Sequence, residues 1–159
     1  APTHKDKLEW NILKKMDGIF ITASDSEIFK MARSASILCT TPRVGLSIIN
    51  NSKVLLDGLI GSNLDPGEVF SFSELSVKPK YTFKTEGENG GIIFPGGRYM
   101  ALKNNKLKID SYGCGDSFAA GILYGMACKW DIEKSLNLAK ILGRDACQFF
   151  GPYANSDDK

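Results

Sequence analysis

The apolar and polar positions in the first half of the chain alternate between helical spacing and short continuous runs. Apolar residues over 8–16 suggest a short helix, and residues 19–22 form an apolar run typical of a buried strand. A polar turn at residues 23–26 offers N-caps to a second helix, and a strand over residues 37–41 follows, which Pro42 ends. Alternation of this kind predicts a mainly parallel sheet covered by helices.

The alternation recurs downstream, and the pattern then changes. A strand over residues 57–60 precedes Pro66, which is placed to open another helix. After Pro79, short strand candidates are separated by turns rich in glycine and asparagine, which predicts antiparallel hairpins. These candidates cover residues 81–85, 91–94, 98–102 and 107–110.

Two helices are predicted to close the chain. From Asp116 the residues are almost uniformly small or apolar, which predicts a helix buried on most sides. The last helix has an N-cap candidate at Asp131, ends at Gly151 and Pro152, and carries one apolar stripe. The stripe consists of Ile132, Leu136, Ala139, Gly143, Ala146 and Phe150. We therefore predict a single α/β domain over residues 1–159, with a doubly wound, mainly parallel sheet and antiparallel hairpin strands toward the C-terminal part.

Composition and charge exclude several classes of protein. The 159 residues are 43% hydrophobic and 24% charged, which excludes disordered, collagenous and coiled-coil chains. Twenty basic against eighteen acidic residues leave a net charge of +2, too small to favour nonspecific nucleic-acid binding. Since no apolar window reaches the length of a membrane span, we expect no membrane partner and a cytoplasmic location.

The cysteines and the histidine do not have the spacing of a zinc site. Cys39, Cys114, Cys128 and Cys147 form no CxxC pair, and the single histidine, His4, lies in a polar leader. Cys39 lies in an apolar run, and Cys128 and Cys147 lie in helical ones. We therefore predict buried free thiols in a reducing compartment rather than two disulfides.

The most informative stretch is residues 108–121, KIDSYGCGDSFAAG, which predicts a strand, a glycine-flanked turn and a helix. Gly113 and Gly115 let the backbone bend, and the amides that open the helix lie at the positive end of its dipole, which predicts an anion cradle. Asp116 at its mouth could accept a hydroxyl proton while the amides stabilise a transferred phosphoryl group. The same residues also fit a plain turn and helix cap, and their spacing leaves both interpretations open.

The run from Asp110 to Gly121 resembles the second signature of the ribokinase-like (PfkB) family of carbohydrate and nucleoside kinases, DTxGAGDxFxAG. Only Cys114 departs from the small residues usual at its position. The resemblance implies that Asp116 is the catalytic base that deprotonates the substrate hydroxyl. It also implies that the amides of Gly113, Cys114 and Gly115 form the anion hole.

Two further stretches resemble motifs of the same family in the family's order. Residues 65–68, DPGE, are similar to the NxxE motif with aspartate replacing asparagine, which implies that Glu68 and Asp65 organise Mg²⁺ and phosphate through water. Residues 85–91, TEGENGG, resemble the TxGxxG strand and turn. This resemblance implies that Thr85, Gly87 and Gly90 approach the nucleotide.

The closing segment, residues 143–151, is similar to the helix and loop that border the adenine pocket in that family. The resemblance implies nucleotide contacts at Asn137 and Gly143. It further implies that Asp110, with Ala146 and Gly151, can hold a monovalent cation such as K⁺.

The resemblance runs from residue 17 to residue 153 and corresponds to the C-terminal portion of a ribokinase-like fold. The family's first signature, most sugar-binding positions and its small β lid are not visible, so we expect the chain to be a fragment. The resemblance implies ATP-dependent phosphoryl transfer to a hydroxymethyl group, with ATP and Mg²⁺ as cofactors, and allows a homodimer of the complete protein. Ribose, fructose, a deoxy-ketose sugar acid and a nucleoside stay open as substrates. The alternative function is a nucleotide-binding or assembly module without turnover.

Overall fold

The computed structural model describes residues 1–103, 109–148 and 150, and within them the strands form one six-stranded sheet. The strands are β1 (Gly18–Ile21), β2 (Ile37–Thr40), β3 (Gly58–Ser62), β4 (Tyr81–Thr85), β5 (Gly91–Phe94) and β6 (Gly97–Tyr99). They lie in the sheet in chain order. The strands β1 to β4 pair in parallel, and β5 pairs antiparallel with both β4 and β6. The predicted mainly parallel sheet with hairpin strands is confirmed.

The helices cover both faces of this sheet. The α-helices are α1 (Ser26–Ala32), α2 (Leu46–Ser52), α3 (Cys114–Ala127) and α4 (Ile132–Ala146). Short 3₁₀ turns cover Trp10–Lys15, Pro42–Val44, Phe72–Glu74 and Gly87–Asn89. One buried cluster joins α1 and α2 to Leu38 and Leu59, and the other joins α3 and α4 to the neighbouring residues Cys39 and Ile60. Because side chains alternate along a strand, the two clusters lie on opposite faces, which confirms the prediction of a sheet flanked by helices.

A buried ion-pair network fixes the start of β3. The carboxylate of Asp57 is 1% exposed and accepts hydrogen bonds from the Leu38 amide at 2.8 Å and from Arg33 at 2.7 Å, while Lys80 pairs with it at 2.8 Å. Burial opposes ionisation, but the hydrogen bonds from Lys80, Leu38 and Arg33 outweigh it and lower the pKa of Asp57. This network connects α1, β2 and β3 with the residue preceding β4.

The helices α3 and α4 pack closely because small residues face one another. A Cβ atom on Gly121 would lie only 2.6 Å from Ala139 Cα, and one on Gly125 would collide with Ser135. Leu123 of α3 packs against Gly18 at the start of β1. The glycines of α3 therefore set the separation of the two helices, and α3 lies directly on the sheet.

Several predicted elements differ from the structure. Pro66 opens no helix, because the Gly67 amide donates to Asp65 Oδ1 at 2.9 Å and forms a local turn instead. The helix α2 was not predicted. The helix α3, in contrast, is exposed mainly along one side, at Asp116, Ala120 and Tyr124, so the prediction of a helix buried on most sides is confirmed.

The C-terminal predictions also change. The helix α4 ends at Ala146 rather than at Gly151, where the prediction ended it. Ile109 and Asp110 lie outside any strand, and the rest of that strand candidate lies outside the described residues. Over the described part of the chain, the structure contains no helix that is long and apolar enough to cross a membrane.

Candidate functional site

The first turn of α3 opens at the edge of the sheet where the parallel strands end. Phe118, near the start of α3, contacts Phe83 in the middle of β4 and stacks on Tyr99. Leu123, further along α3, reaches Gly18, where β1 begins. The helix thus runs against the direction of the parallel strands, and its N-terminus faces their carboxyl ends. Ligands of open α/β sheets bind at this edge.

The turn before α3 has the backbone shape that its glycines predict. Gly113 has a φ of 80°, in the left-handed region that favours glycine. The Cys114 amide donates to the Ser111 carbonyl at 3.3 Å, and the Ser117 amide donates to the Gly113 carbonyl at 2.9 Å. The amides of Gly115 and Asp116 lie in the first helical turn, which has no carbonyl one turn earlier to accept from them. No side chain of the described residues caps this end.

The predicted base and the predicted anion hole therefore lie together, but one of the three predicted amide donors bonds to a carbonyl of the turn itself. Asp116 is exposed in the first turn of α3, beside the amides of Gly113 and Gly115. The Cys114 amide, the third predicted donor, is directed at Ser111. The roles of these residues in catalysis stay predictions.

The prediction of free thiols is wrong for two cysteines. Cys114 and Cys147 form a disulfide with their Cα atoms 5.9 Å apart, a separation typical of such bonds. The pairing follows from the antiparallel packing of α3 and α4, which places the start of one beside the end of the other. Cys39 is free and buried as predicted, and burial raises the pKa of its thiol to about 12. Cys128 is free but exposed rather than buried.

The C-terminal end of α4 borders the turn before α3. A Cβ on Gly143 would lie 3.2 Å from the Cys114 carbonyl oxygen, so Gly143 lies beside the predicted anion hole. Asn137 lies six residues earlier on α4, roughly 9 Å along its axis, and is exposed there. The structure does not bring Asn137 to the turn.

The predicted monovalent-cation residues are only partly described. Asp110 Oδ1 accepts a hydrogen bond from the Tyr112 amide at 3.0 Å, and Ala146 is the last residue of α4. Gly151 lies outside the described residues. The cation site therefore stays a prediction.

Glu68 lies at the same carboxyl edge of the sheet, held by hydrogen bonds to both of its oxygens. Its Oε1 accepts from the Thr41 hydroxyl and from Arg43 Nε, both at 3.1 Å, and its Oε2 accepts from the Ser62 amide at 2.8 Å. Thr41 directly follows β2, and Ser62 is the last residue of β3. The carboxylate of Glu68 therefore bridges the ends of two neighbouring parallel strands.

Arg43 connects the two predicted magnesium-organising carboxylates. Its guanidinium pairs with Asp65 as well as with Glu68. The hydrogen bond to Glu68 and the charge of Asp65 raise the pKa of Arg43. Carboxylate oxygens suit Mg²⁺, which usually keeps several waters, so Asp65 and Glu68 fit a water-mediated magnesium site. Within the described residues there is no group of three or more histidine, cysteine or acidic side chains arranged for a metal.

The predicted nucleotide loop follows β4 at the same edge. The Asn63 amide donates to the Thr85 carbonyl at 2.9 Å, and the Thr85 hydroxyl donates to the Gly61 carbonyl at 3.4 Å. Gly87 and Gly90 both have positive φ, and a Cβ on Gly90 would collide with the Tyr99 carbonyl. These glycines let the loop turn tightly against β6.

The side chain of Glu86 is fixed beside this loop. It accepts a hydrogen bond from Asn63 Nδ2 at 2.9 Å and pairs with Arg98. The hydrogen bonds from Asn63 and Arg98 lower the pKa of Glu86. A carboxylate that is ion-paired with Arg98 therefore lies next to Gly87.

Sequence reasoning missed Arg43, Thr41, Asn63, Glu86 and Arg98. A signal existed for the first four, because each follows the end of a parallel strand, where functional side chains collect. Arg98 gave no such signal, because its partner is determined by the pairing of β5 with β6.

Comparisons with known proteins agree with this geometry. No protein-family model matches the chain. Over 80 residues it is 31% identical to acarbose 7(IV)-phosphotransferase of an Actinoplanes species. The matched stretch covers 47% of this chain and 27% of that protein.

Solved kinase structures match over most of the chain. A Burkholderia thailandensis nucleoside kinase in complex with inosine has a TM-score of 0.69 at 21% identity, covering 88% of this chain and 52% of that one. The ribokinase of Thermotoga maritima (TM-score 0.69, 16% identity) is matched over 92% of this chain and 55% of that one. The match to adenosine kinase from Sinorhizobium meliloti (TM-score 0.69, 16% identity) covers 92% of this chain and 54% of that one.

The chain thus spans about half the length of these solved kinases and 27% of the curated phosphotransferase. This partial coverage agrees with the prediction that it corresponds to a portion of the fold. The resemblance seen in the sequence is confirmed at the level of structure: the chain has the ribokinase-like fold.

Proposed function

We propose that this chain is the nucleotide- and phosphate-handling portion of an ATP-dependent kinase that phosphorylates a hydroxymethyl group of a sugar or nucleoside. The observation that carries the proposal is the start of α3, where Asp116 lies beside first-turn amides at the carboxyl edge of the sheet. The predicted single domain over residues 1–159 forms part of the same proposal.

In the proposed reaction, Asp116 accepts the proton of the substrate hydroxyl as its oxygen attacks the γ-phosphorus of ATP. The bond between that phosphorus and the oxygen bridging to the β-phosphate breaks, and ADP leaves. The amides at the start of α3 donate hydrogen bonds to the phosphoryl oxygens, where negative charge accumulates. The residues of the nucleotide loop, Thr85, Gly87 and Gly90, line the side from which the nucleotide enters.

Glu68 and Asp65 are the residues that would hold Mg²⁺, through water. Bound Mg²⁺ would neutralise charge on the phosphate oxygens. The Ser62 amide and the Thr41 hydroxyl keep the Glu68 carboxylate directed along the edge of the sheet. Arg43 offsets the charge of both carboxylates.

The sugar or nucleoside class is supported by the curated phosphotransferase and by the solved kinases, whose names give sugar and nucleoside substrates. The test is ADP release by the purified protein with ATP and Mg²⁺ against a panel containing ribose, fructose, a deoxy-ketose sugar acid and nucleosides. We expect release above the ATP-only background with one substrate group. ATP binding without ADP release across the panel would instead favour a non-catalytic nucleotide-binding module.

A further inference from the structure

The turn before α3 is anchored at both ends to one residue, Cys147, which follows α4. At its entrance, the amides of Ile109 and Asp110 donate to the Cys147 carbonyl at 2.9 and 3.4 Å. At its exit, Cys114 is covalently bonded to the Cys147 sulfur. Cys114 is also the first residue of α3. The turn that carries the predicted anion hole is therefore closed by one covalent bond and two hydrogen bonds.

In the structure with the disulfide formed, the Cys114 amide is used internally. That amide donates to the Ser111 carbonyl at 3.3 Å, a long hydrogen bond. The other first-turn amides, of Gly115 and Asp116, have no such partner within the helix. In the disulfide form, the cradle at the start of α3 thus lacks one of its three predicted donors.

The bond lies where small thiols can reach it. Both Cys114 and Cys147 are half-buried, and Tyr112 beside them is exposed. Cys39, in contrast, is buried, with a thiol pKa raised by that burial, and Cys128 is free at the other end of α3. Among the four cysteines, only Cys114 and Cys147 are both disulfide-bonded and partly exposed to solvent.

We propose that Cys114 and Cys147 form a reversible thiol–disulfide exchange site, and that the disulfide form binds phosphate-bearing ligands more weakly than the dithiol form. In reduction, the thiolate of glutathione attacks one sulfur, the protein S–S bond breaks, and a mixed disulfide forms. The thiolate of a second glutathione then attacks the glutathione sulfur of this mixed disulfide and displaces the protein thiolate, which leaves two protein thiols and oxidised glutathione. Oxidation by oxidised glutathione reverses these steps. The effect on ligand binding rests on the proposed function, whereas the exchange chemistry does not.

The first measurement needs no nucleotide. The protein is equilibrated in glutathione buffers of increasing oxidised fraction, quenched, denatured and alkylated, and the modified thiols are counted by mass spectrometry. We expect four alkylated cysteines in reducing buffer and two, Cys39 and Cys128, in oxidising buffer. Four alkylated cysteines in every buffer would overturn the exchange site. The Cys128→Ser variant is the matched control and should lose one thiol from both counts.

The second measurement is ATP affinity by calorimetry in the two redox states. We expect binding about tenfold weaker in the oxidised protein, since one charge-assisted hydrogen bond is lost. The Cys147→Ser variant should bind ATP like the reduced protein in both buffers, and the Cys128→Ser control should respond like the wild type. Equal affinity in both states would overturn the coupling to ligand binding. If neither state bound ATP, the kinase proposal would fail, and the thiol count would still decide the exchange site.

Discussion

Replacing Gly121 by alanine tests whether the last glycine of the DSYGCGDSFAAG run serves helix packing rather than phosphate binding. The added Cβ would lie 2.6 Å from Ala139 Cα and 2.8 Å from Ala139 N, both backbone atoms of α4. Ordinary carbon contacts are about 3.5–4.0 Å, so the helices would have to separate by about 1 Å. No side-chain rotation can relieve a contact with backbone.

The expected free energy follows from two opposing effects. Overpacking of this kind costs about 1–3 kcal/mol, and we expect the upper part of that range because backbone is involved. Alanine in a helix interior recovers about 1 kcal/mol relative to glycine. We therefore expect Gly121→Ala to lower the free energy of unfolding by about 1–2 kcal/mol, which moves the urea midpoint down by about 1 M or less.

The matched control is Gly115→Ala, one helix turn and more toward the start of α3. A Cβ on Gly115 has no neighbouring atom within 4 Å, so its urea midpoint should equal that of the wild type or exceed it slightly. Equilibrium urea denaturation followed by circular dichroism measures all three proteins. An unchanged or higher midpoint for Gly121→Ala would refute the close-packing explanation.

Two further predictions concern charged groups. Asp57→Asn should cost about 2 kcal/mol at pH 7, because the charge-assisted hydrogen bonds from Arg33 and from the Leu38 amide to the buried carboxylate are lost. The pKa of Asp57 is lowered in the folded state. The ionised carboxylate therefore stabilises the fold fully at any pH above the pKa of Asp57 in the unfolded chain, near 4, and this stabilisation is lost as the pH falls through the folded-state pKa. The difference between variant and wild type in urea denaturation should therefore shrink below about pH 4, and a constant difference would contradict it. Arg43→Gln should tighten the binding of Mn²⁺, used as a spectroscopic probe, by about tenfold at low salt. The reason is that the guanidinium that pairs with Glu68 would no longer repel the metal. Unchanged Mn²⁺ affinity would show that Arg43 does not compete with the metal.

Much of the sheet could be predicted because its strands are short apolar runs, or in β4 an alternation of aromatic and polar residues, bounded by strong turn formers. The strands β1, β2, β4 and β5 lie close to their predicted positions for this reason. The helix α2 was missed because its seven residues contain two asparagines and two serines, which weaken the helical pattern. A helix was predicted at Pro66 and is not formed, because the Asp65 side chain stabilises a turn that competes with a helix.

The site could be predicted only where one continuous segment carries it. Gly113 and Gly115 indicate the bend before α3, and the structure has a positive φ at Gly113. The role of Arg43 depends on the adjacency of β2 and β3, which its local sequence does not encode. The bond from Cys114 to Cys147 likewise depends on how α3 packs against α4. Contacts between distant segments are a property of the fold and not of the motif.

The most direct test of the central claim compares the wild type and Asp116→Asn in two assays, turnover with an identified substrate and ATP affinity. The asparagine keeps the size of the side chain and removes its capacity to accept the substrate proton. We predict that kcat falls by about 10²–10⁴-fold while the ATP dissociation constant stays within about twofold. Wild-type turnover in Asp116→Asn would contradict the assignment of the catalytic base.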